Sequence, residues 1–307
     1  TPVGTIRSIY KLCVGTPRQG LLAPNARGCI ELAKIGDSSA SSSVIGLEGY
    51  SHVWIIFVFH LNTKSSNPNK RIKSKISPPA LGGEKVGIFA TRSPHRYNPI
   101  GITLCKIDRI ERIKKTRHTK ERVLIHLSGL DLVDGTPVLD IKPYVPTYDS
   151  VSPADGGVVN LPSWVEGGLA TKRRVIIAPS AKTDLTSILE NDSNALQFYG
   201  SEYGEHTVDE TAEYALGCIR QVLAIDVRSN YQTKKARGGN FQAERARRLQ
   251  GATQGSVVAE DVCTQQLDNL LIEYTVDEAS DRKRASSAGS GAEDEVTVSS
   301  IKLLEEV

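Results

Sequence analysis

Apolar residues fall in short runs through the first half of the chain, at 3–9, 28–34, 53–59, 86–90, 102–110, 123–127 and 138–144. Glycine, proline, serine and charged residues separate them. Runs of this length, rich in valine and isoleucine and bounded by turn residues, predict strands. Helical periodicity is scarcely present there. Many short strands without intervening helices predict a small β-barrel rather than a βαβ array. The longest run, VWIIFVF at 53–59, falls far short of the roughly 20 residues that a helix needs to cross a bilayer.

The pattern breaks between 147 and 172 into Asp, Gly, Pro and Ser, and we place a linker at 151–172. It separates a barrel domain at 1–150 from a smaller α+β domain at 173–307. The second domain is predicted to hold a strand at 173–178, a short helix at 184–189 and a long amphipathic helix at 208–225. Val208, Ala212, Ala215, Ile219 and Val222 share one face of that helix. A hairpin of 270–276 with 296–303 follows, and its Ser/Gly-rich connection at 277–295 reads as disordered. The one GxG, Gly289-Ser290-Gly291, lies in that connection with no strand before it, so it is not a dinucleotide fingerprint.

Charge changes the picture more than composition does. The net charge of +3 is modest, yet basic residues cluster at 64–75, 111–122 and 234–248, against an acidic C-terminal end. Three such stretches point to a polyanionic partner, most simply nucleic acid. Five cysteines, none in a CxxC pair, read as reduced buried thiols of a cytoplasmic protein. Methionine is absent from all 307 residues, position 1 included, as expected of a chain that has been trimmed or has lost residues.

Candidate chemistry gathers in four polar clusters. GTPRQG (15–20) projects Arg18 and Gln19 from a turn fixed by proline and glycine. GLEGYSHVW running into FVFH places Glu48, His52 and His60 around an apolar strand. TRSPHRYNPIG (91–101) is neither helix nor ordinary sheet, because Pro94 and Pro99 remove donors and hold their predecessors extended. A rigid polar loop between strands is where a scaffold displays chemistry. SGLDLVDGTPVLDIKPY (128–144) carries Asp131, Asp134, Asp140, Lys142 and Tyr144. His52, His60 and His95 show no HxH or HExxH spacing, so no metal site is assigned. Ser93 beside His95 lacks a nucleophile elbow. Asp134-Gly135 is also an ordinary turn dipeptide.

These four motifs, in this order and spacing, resemble the TrmO family of tRNA methyltransferases, also known as the TsaA-like or YaeB-like group. The resemblance runs nearly continuously over 1–150, with a weaker echo in the long helix and in DVRSNY (226–231), which is similar to the family's DPRPAY element. It implies a β-barrel that binds S-adenosylmethionine without a Rossmann sheet, acts as a homodimer and N6-methylates threonylcarbamoyl-adenosine at tRNA position 37. By the same resemblance the cofactor contacts are Gln19, Gly20, Leu21, His60, Arg92, Leu104, Leu130, Asp131, Leu132 and Val133.

Methyl transfer requires in-line approach of N6 to the methyl carbon, and positioning supplies much of the rate. The lone pair of a carbamoylated N6 is delocalised, so proton removal assists attack; Asp131, Asp134 and Tyr144 are the candidate bases. A cation beside a sulfonium is unfavourable, so Arg92 belongs with the cofactor's carboxylate or with a phosphate. Arg96, Lys142 and Arg228 are the candidate partners for the threonyl carboxylate of the substrate. The chain departs from the family pattern at Tyr97, where the loop usually has proline, and at Val227 and Ser229, which replace both prolines of DPRPAY. The competing reading is a non-catalytic tRNA-binding barrel; a hydrolase built on the histidines is a distant third.

Overall fold

In the computed structural model the apolar runs of the first half become the strands of a closed barrel. The structure describes residues 1–12, 16–17, 19–33, 39–61, 73–78, 81, 83–114, 121–151, 157, 159–166, 173–200, 206–225, 262–277 and 294–304. The chain divides into two units, Thr1–Ser8 with Gln19–Ala170, and Ile9–Arg18 with Thr171–Val307. The second unit thus includes ten residues from the N-terminal region that sequence alone groups with the barrel.

The barrel is formed by β1 (Gly4–Ser8), β2 (Arg27–Leu32), β3 (His52–Val58), β6 (Ile100–Ile113), β7 (Arg122–Ser128) and β8 (Pro137–Pro143). They close in the order β1-β2-β7-β6-β3-β8, every pair antiparallel. Closure leaves no unpaired sheet edge. β6 is the longest strand because it serves two neighbours: residues 100–106 pair with β3, and 106–113 with β7. A register shift between Ile107 and Arg109 turns it from one to the other.

In β3, Val53, Ile55 and Phe57 point inward and are buried. They join Ile6, Ile30, Val123, Ile125, Leu127 and Val138 in one core. Each such side chain contributes on the order of 1.5–3 kcal/mol on burial. Gly101 on β6 lies over the Phe57 ring, where a β-carbon would stand 2.3 Å from the ring edge. The apolar run at 53–59 is unbroken, so Trp54, Ile56 and Val58 fall on the barrel's outer face. There they register with Leu104, Ile102 and Ile100 of β6.

Between β3 and β6 lies a two-stranded ribbon, β4 (Lys75–Ile76) with β5 (Val86–Gly87), followed by a 3₁₀ turn at Ile88–Ala90. The run at 86–90 therefore ends as a strand after two residues. The Ser-rich patch forms a 3₁₀ turn at Ser42–Val44, and the Ser39 and Ser41 hydroxyls both donate to Glu121. Two four-residue helices, α1 (Pro146–Asp149) and α2 (Ser163–Glu166), occupy the linker region.

The second unit is a four-stranded sheet in the order β10 (Cys263–Leu267), β11 (Leu270–Asp277), β12 (Glu295–Leu303), β9 (Arg174–Ile177), with only the β12–β9 pair parallel. Helices α3 (Pro179–Asn191) and α4 (Val208–Leu223) accompany it. α3 is twice the predicted length, starting at Pro179, whose missing N–H suits a first turn. α4 begins with a capping box of Thr207 and Glu210 and buries Ala212, Ala215, Ile219 and Val222 as its periodicity predicts. The β11–β12 hairpin is present; its connection lies outside the described residues, and β10 was not anticipated. No described helix is long and apolar enough to cross a membrane.

Candidate active site

Segments far apart in sequence converge on one part of the barrel unit. Gly20 lies against Gly129 so closely that a β-carbon on it would stand 1.8 Å from the Gly129 carbonyl oxygen; the Leu104 oxygen is 3.6 Å away. No other residue fits between them. The Gly129 N–H donates to Pro24 O at 3.1 Å and the Leu130 N–H to Ala26 O at 3.2 Å. The 19–26 turn and the 129–133 segment are thereby fastened main chain to main chain.

The 91–101 loop joins this junction through one bond: Arg92 Nη1 donates to Gln19 Oε1 at 3.0 Å. Arg92 also acts electrostatically on Asp131. Burial pushes the Asp131 carboxyl up to about 6, opposed by a hydrogen bond from the Thr103 hydroxyl, by its own main chain and by Arg92. Its Oδ1 is buried with no hydrogen-bond partner among the described residues. The neighbouring Cys105 thiol is held neutral by burial and by Asp131, and donates to Gly129 O at 3.6 Å.

The other predicted contacts sort by what they can offer. Leu130 and Leu132 send their side chains into the core, so only their main chain is available. Val133 O accepts from the N–H and the hydroxyl of Thr136. Leu21 is exposed beside Gly20. His60 lies near the turn that follows Val133, since a β-carbon on Gly135 would be 4.0 Å from its Nε2.

Several candidates are engaged elsewhere. Asp134 Oδ1 accepts from the Ser8 N–H at 2.8 Å and lies 3.7 Å from Arg7, tying β1 to the turn before β8. Tyr144 sits with its ring edge-on to Trp54 and His52, on the outer face. Lys142 pairs with Asp140 at 2.9 Å. The Arg96 guanidinium is turned onto its own loop, donating to Thr91 O at 2.6 Å and Ile88 O at 3.3 Å. Glu48 pairs with Arg112, which lowers its carboxyl, so the second cluster does not assemble. The Ser93 hydroxyl accepts from the His95 N–H. Arg18, Arg228 and the basic stretch at 234–248 lie outside the described residues. Among the described residues no group of three or more His, Cys, Asp or Glu is placed to hold a metal ion.

Thr103 was not anticipated. Its signal was a polar residue at an inward position of β6, between Gly101 and Cys105, where the alternation calls for an apolar one.

Residues 5–150 match the family described as tRNA-methyltransferase O N-terminal domain. Over 240 residues the chain is 36% identical to the tRNA (adenine(37)-N6)-methyltransferase of Escherichia coli K12, covering 78% of this chain and 86% of that protein. It is 44% identical over 149 residues to the mouse protein of the same name, covering 48% of this chain. It spans only about a third (31%) of the mouse protein's length. Its fold is similar to the crystal structure of TrmO from Pseudomonas aeruginosa, with a TM-score of 0.56 at 25% identity, covering 98% of this chain and 96% of that one.

Proposed function

The chain belongs to the TrmO family, and on that premise we propose that it is an S-adenosylmethionine-dependent tRNA methyltransferase acting on N6 of adenine 37. We further infer that its substrate carries a threonylcarbamoyl group on that nitrogen. The observation that carries this reading is the buried Asp131 oxygen with no partner among the described residues, beside the Arg92–Gln19 pair. A buried carboxylate left unpaired is costly unless a ligand completes it. A cofactor with a sulfonium and an amino-acid end is such a ligand. When bound, S-adenosylmethionine supplies an electrophilic methyl group.

Gln19, the Gly20 main chain, Arg92, Leu104 and the main chain of 130–133 would hold it, with Arg92 meeting its carboxylate. Fastening 19–26 to 129–133 fixes these groups before anything binds, which favours catalysis by positioning. Of the three candidate bases, Asp134 and Tyr144 serve structural contacts, so we assign the N6 proton to Asp131. Its carboxyl, raised to about 6, is a stronger base than an ordinary aspartate and remains ionised at neutral pH. Lys142 is the described candidate for the threonyl carboxylate, because its pair with Asp140 is solvent-exposed and weak enough to be exchanged for the substrate.

We also infer a homodimer. Its support is the outer face of β3 and β6, where Trp54, Ile56, Val58, Ile100, Ile102 and Leu104 form an apolar stripe. Light scattering tests this: the unaltered chain should have the mass of a dimer and Ile102→Asp that of a monomer; a monomer mass for the unaltered chain would refute the dimer, and a dimer mass for the variant would refute this interface.

The activity is tested by mass spectrometry of nucleosides after incubating protein and cofactor with threonylcarbamoylated or unmodified tRNA. Methylation confined to the modified nucleoside is expected. Methylation of the plain adenosine would overturn the substrate assignment. No methylation of either, together with no thermal shift on adding S-adenosylmethionine, would favour the RNA-binding barrel instead.

A further inference from the structure

We propose that Phe89 and Tyr97 form a stacking platform for an unpaired nucleobase of the RNA loop that carries the target adenine; this rests on the tRNA methyltransferase reading above. Phe89 projects from the 3₁₀ turn at Ile88–Ala90, and the residue before it anchors the turn: Ile88 is buried, whereas Phe89 is 78% exposed. Tyr97, 50% exposed, stands beside it with ring centroids 6.0 Å apart and planes tilted by 43°.

Arg96 makes the pair rigid. Its guanidinium lies 5.8 Å from the Phe89 centroid and is pinned by the carbonyls of Thr91 and Ile88. The Thr91 hydroxyl also donates to Ile88 O at 2.9 Å, closing the turn onto the loop. Arg96 thus braces an aromatic surface instead of offering a free cation. Little side-chain freedom remains to be lost when a flat ligand arrives.

The surroundings identify that ligand. Among the described residues from 73 to 101, Lys73, Lys75, Lys85, Arg92 and Arg96 are basic and Glu84 alone is acidic. The β4–β5 ribbon that carries the lysines is bonded to the platform's turn through Ile88 N–H to Ser74 O at 2.9 Å. Exposed aromatic rings among cations fit splayed bases joined by phosphates, the form in which single-stranded RNA loops are read. The loop also carries Gln19's partner Arg92, so a base stacked here is held beside the junction around Asp131. Tyr97 stands where the family loop usually has proline, so half of the platform is this chain's own.

The test uses the full chain, S-adenosylmethionine and a threonylcarbamoylated anticodon stem-loop, with 2-aminopurine replacing the base that follows the target. Stacking should quench the 2-aminopurine on binding. Phe89→Ala and Tyr97→Ala should each abolish the quench and raise KM for the stem-loop about tenfold, with kcat little changed. Tyr97→Phe should keep both, and Tyr97→Pro should behave like Tyr97→Ala. Calorimetric binding of S-adenosylmethionine should be the same in all. If the unaltered chain methylates the stem-loop and both alanine variants keep its KM and quench, the platform is refuted and the methyltransferase reading stands. If the unaltered chain methylates no stem-loop, that reading falls and the platform with it.

Discussion

Two aspartates, one in each unit, share an unusual state and differ in what surrounds it. Asp131 in the barrel and Asp268 in the β10–β11 turn each hide a carboxylate oxygen with no partner among the described residues. Burial pushes each carboxyl up to about 6. Asp268 is enclosed by Leu196, Tyr199, Ile219, Leu267 and Leu270. Its Oδ2 accepts from the Phe198 N–H at 3.0 Å, and its own N–H donates to Ile9 O. With φ of 53° it makes the tight turn itself and binds three stretches of the second unit together. Asp131 is met instead by a hydroxyl and by an exposed arginine that is itself joined to a second polar side chain. A buried orphan oxygen therefore does not mark a site by itself. Our proposal that Asp131 reacts rests on the polar groups of separate, surface-reaching segments around it, whereas Asp268, acted on by Lys11, is held by main-chain bonds within one unit.

The comparison is sharpest when both carboxylates are neutralised. Asp131→Asn should lower kcat/KM for tRNA by roughly 100-fold or more, the range for losing a general base. It should leave the unfolding midpoint at neutral pH no lower than before. In the unaltered chain, kcat/KM should fall with a one-proton limb near pH 6 as Asp131 is protonated. A flat profile through that region would remove Asp131 from the chemistry.

Asp268→Asn should do the reverse: methylate normally and gain stability. The folded state binds this proton more tightly than the unfolded chain does, about 6 against 3.8. Its contribution to stability is therefore greatest below 3.8 and is lost as pH rises through 6. Above that, the buried charge costs about 3 kcal/mol, which the neutral amide avoids. Asparagine also tolerates the positive φ. Denaturant titrations should show the variant more stable at neutral pH, with the difference closing in acid. Loss of activity without loss of fold would break the contrast.

Gly20→Ala tests the main-chain junction that has no counterpart at Asp268. Its β-carbon must displace the Gly129 carbonyl, costing roughly 1–3 kcal/mol and misaligning the segments around Asp131. Calorimetry should find cofactor binding lost before the fold is. The smallest expected effect is that of Arg92→Ala, which should weaken cofactor binding about tenfold and move the acid limb upward. An unchanged limb would mean that Arg92 does not act on Asp131.

Much of the barrel was legible because short apolar runs bounded by turn residues are a local signal; the unbroken run at 53–59 declared a strand, and only barrel closure decided that Val53, Ile55 and Phe57 face inward. The helix at 208–223 was legible from the three- and four-residue spacing of its apolar face, which is also a local signal. β10 was missed because CTQQL has no apolar alternation to declare it; β11 makes it a strand by pairing. The site was legible as motifs but not as roles. Asp131, Asp134 and Asp140 lie in one stretch, and no spacing rule separates a carboxylate that binds Ser8 from one left open.

The sequence by itself determined the strand-rich first half, the α+β second half, the family and the segments that hold the site, because each is written in short-range pattern. Tertiary structure alone decided that residues 9–18 belong to the second unit, that Gly20 must be glycine and that Arg96 braces Phe89. It also decided that Asp134 is bonded to Ser8 while Asp131 keeps a buried oxygen with no partner among the described residues. The first two outcomes depend on contacts between residues more than a hundred positions apart, the third on a loop folding back onto its own turn, and the last on burial, which acts on a charge through its surroundings and not through its neighbours in the chain.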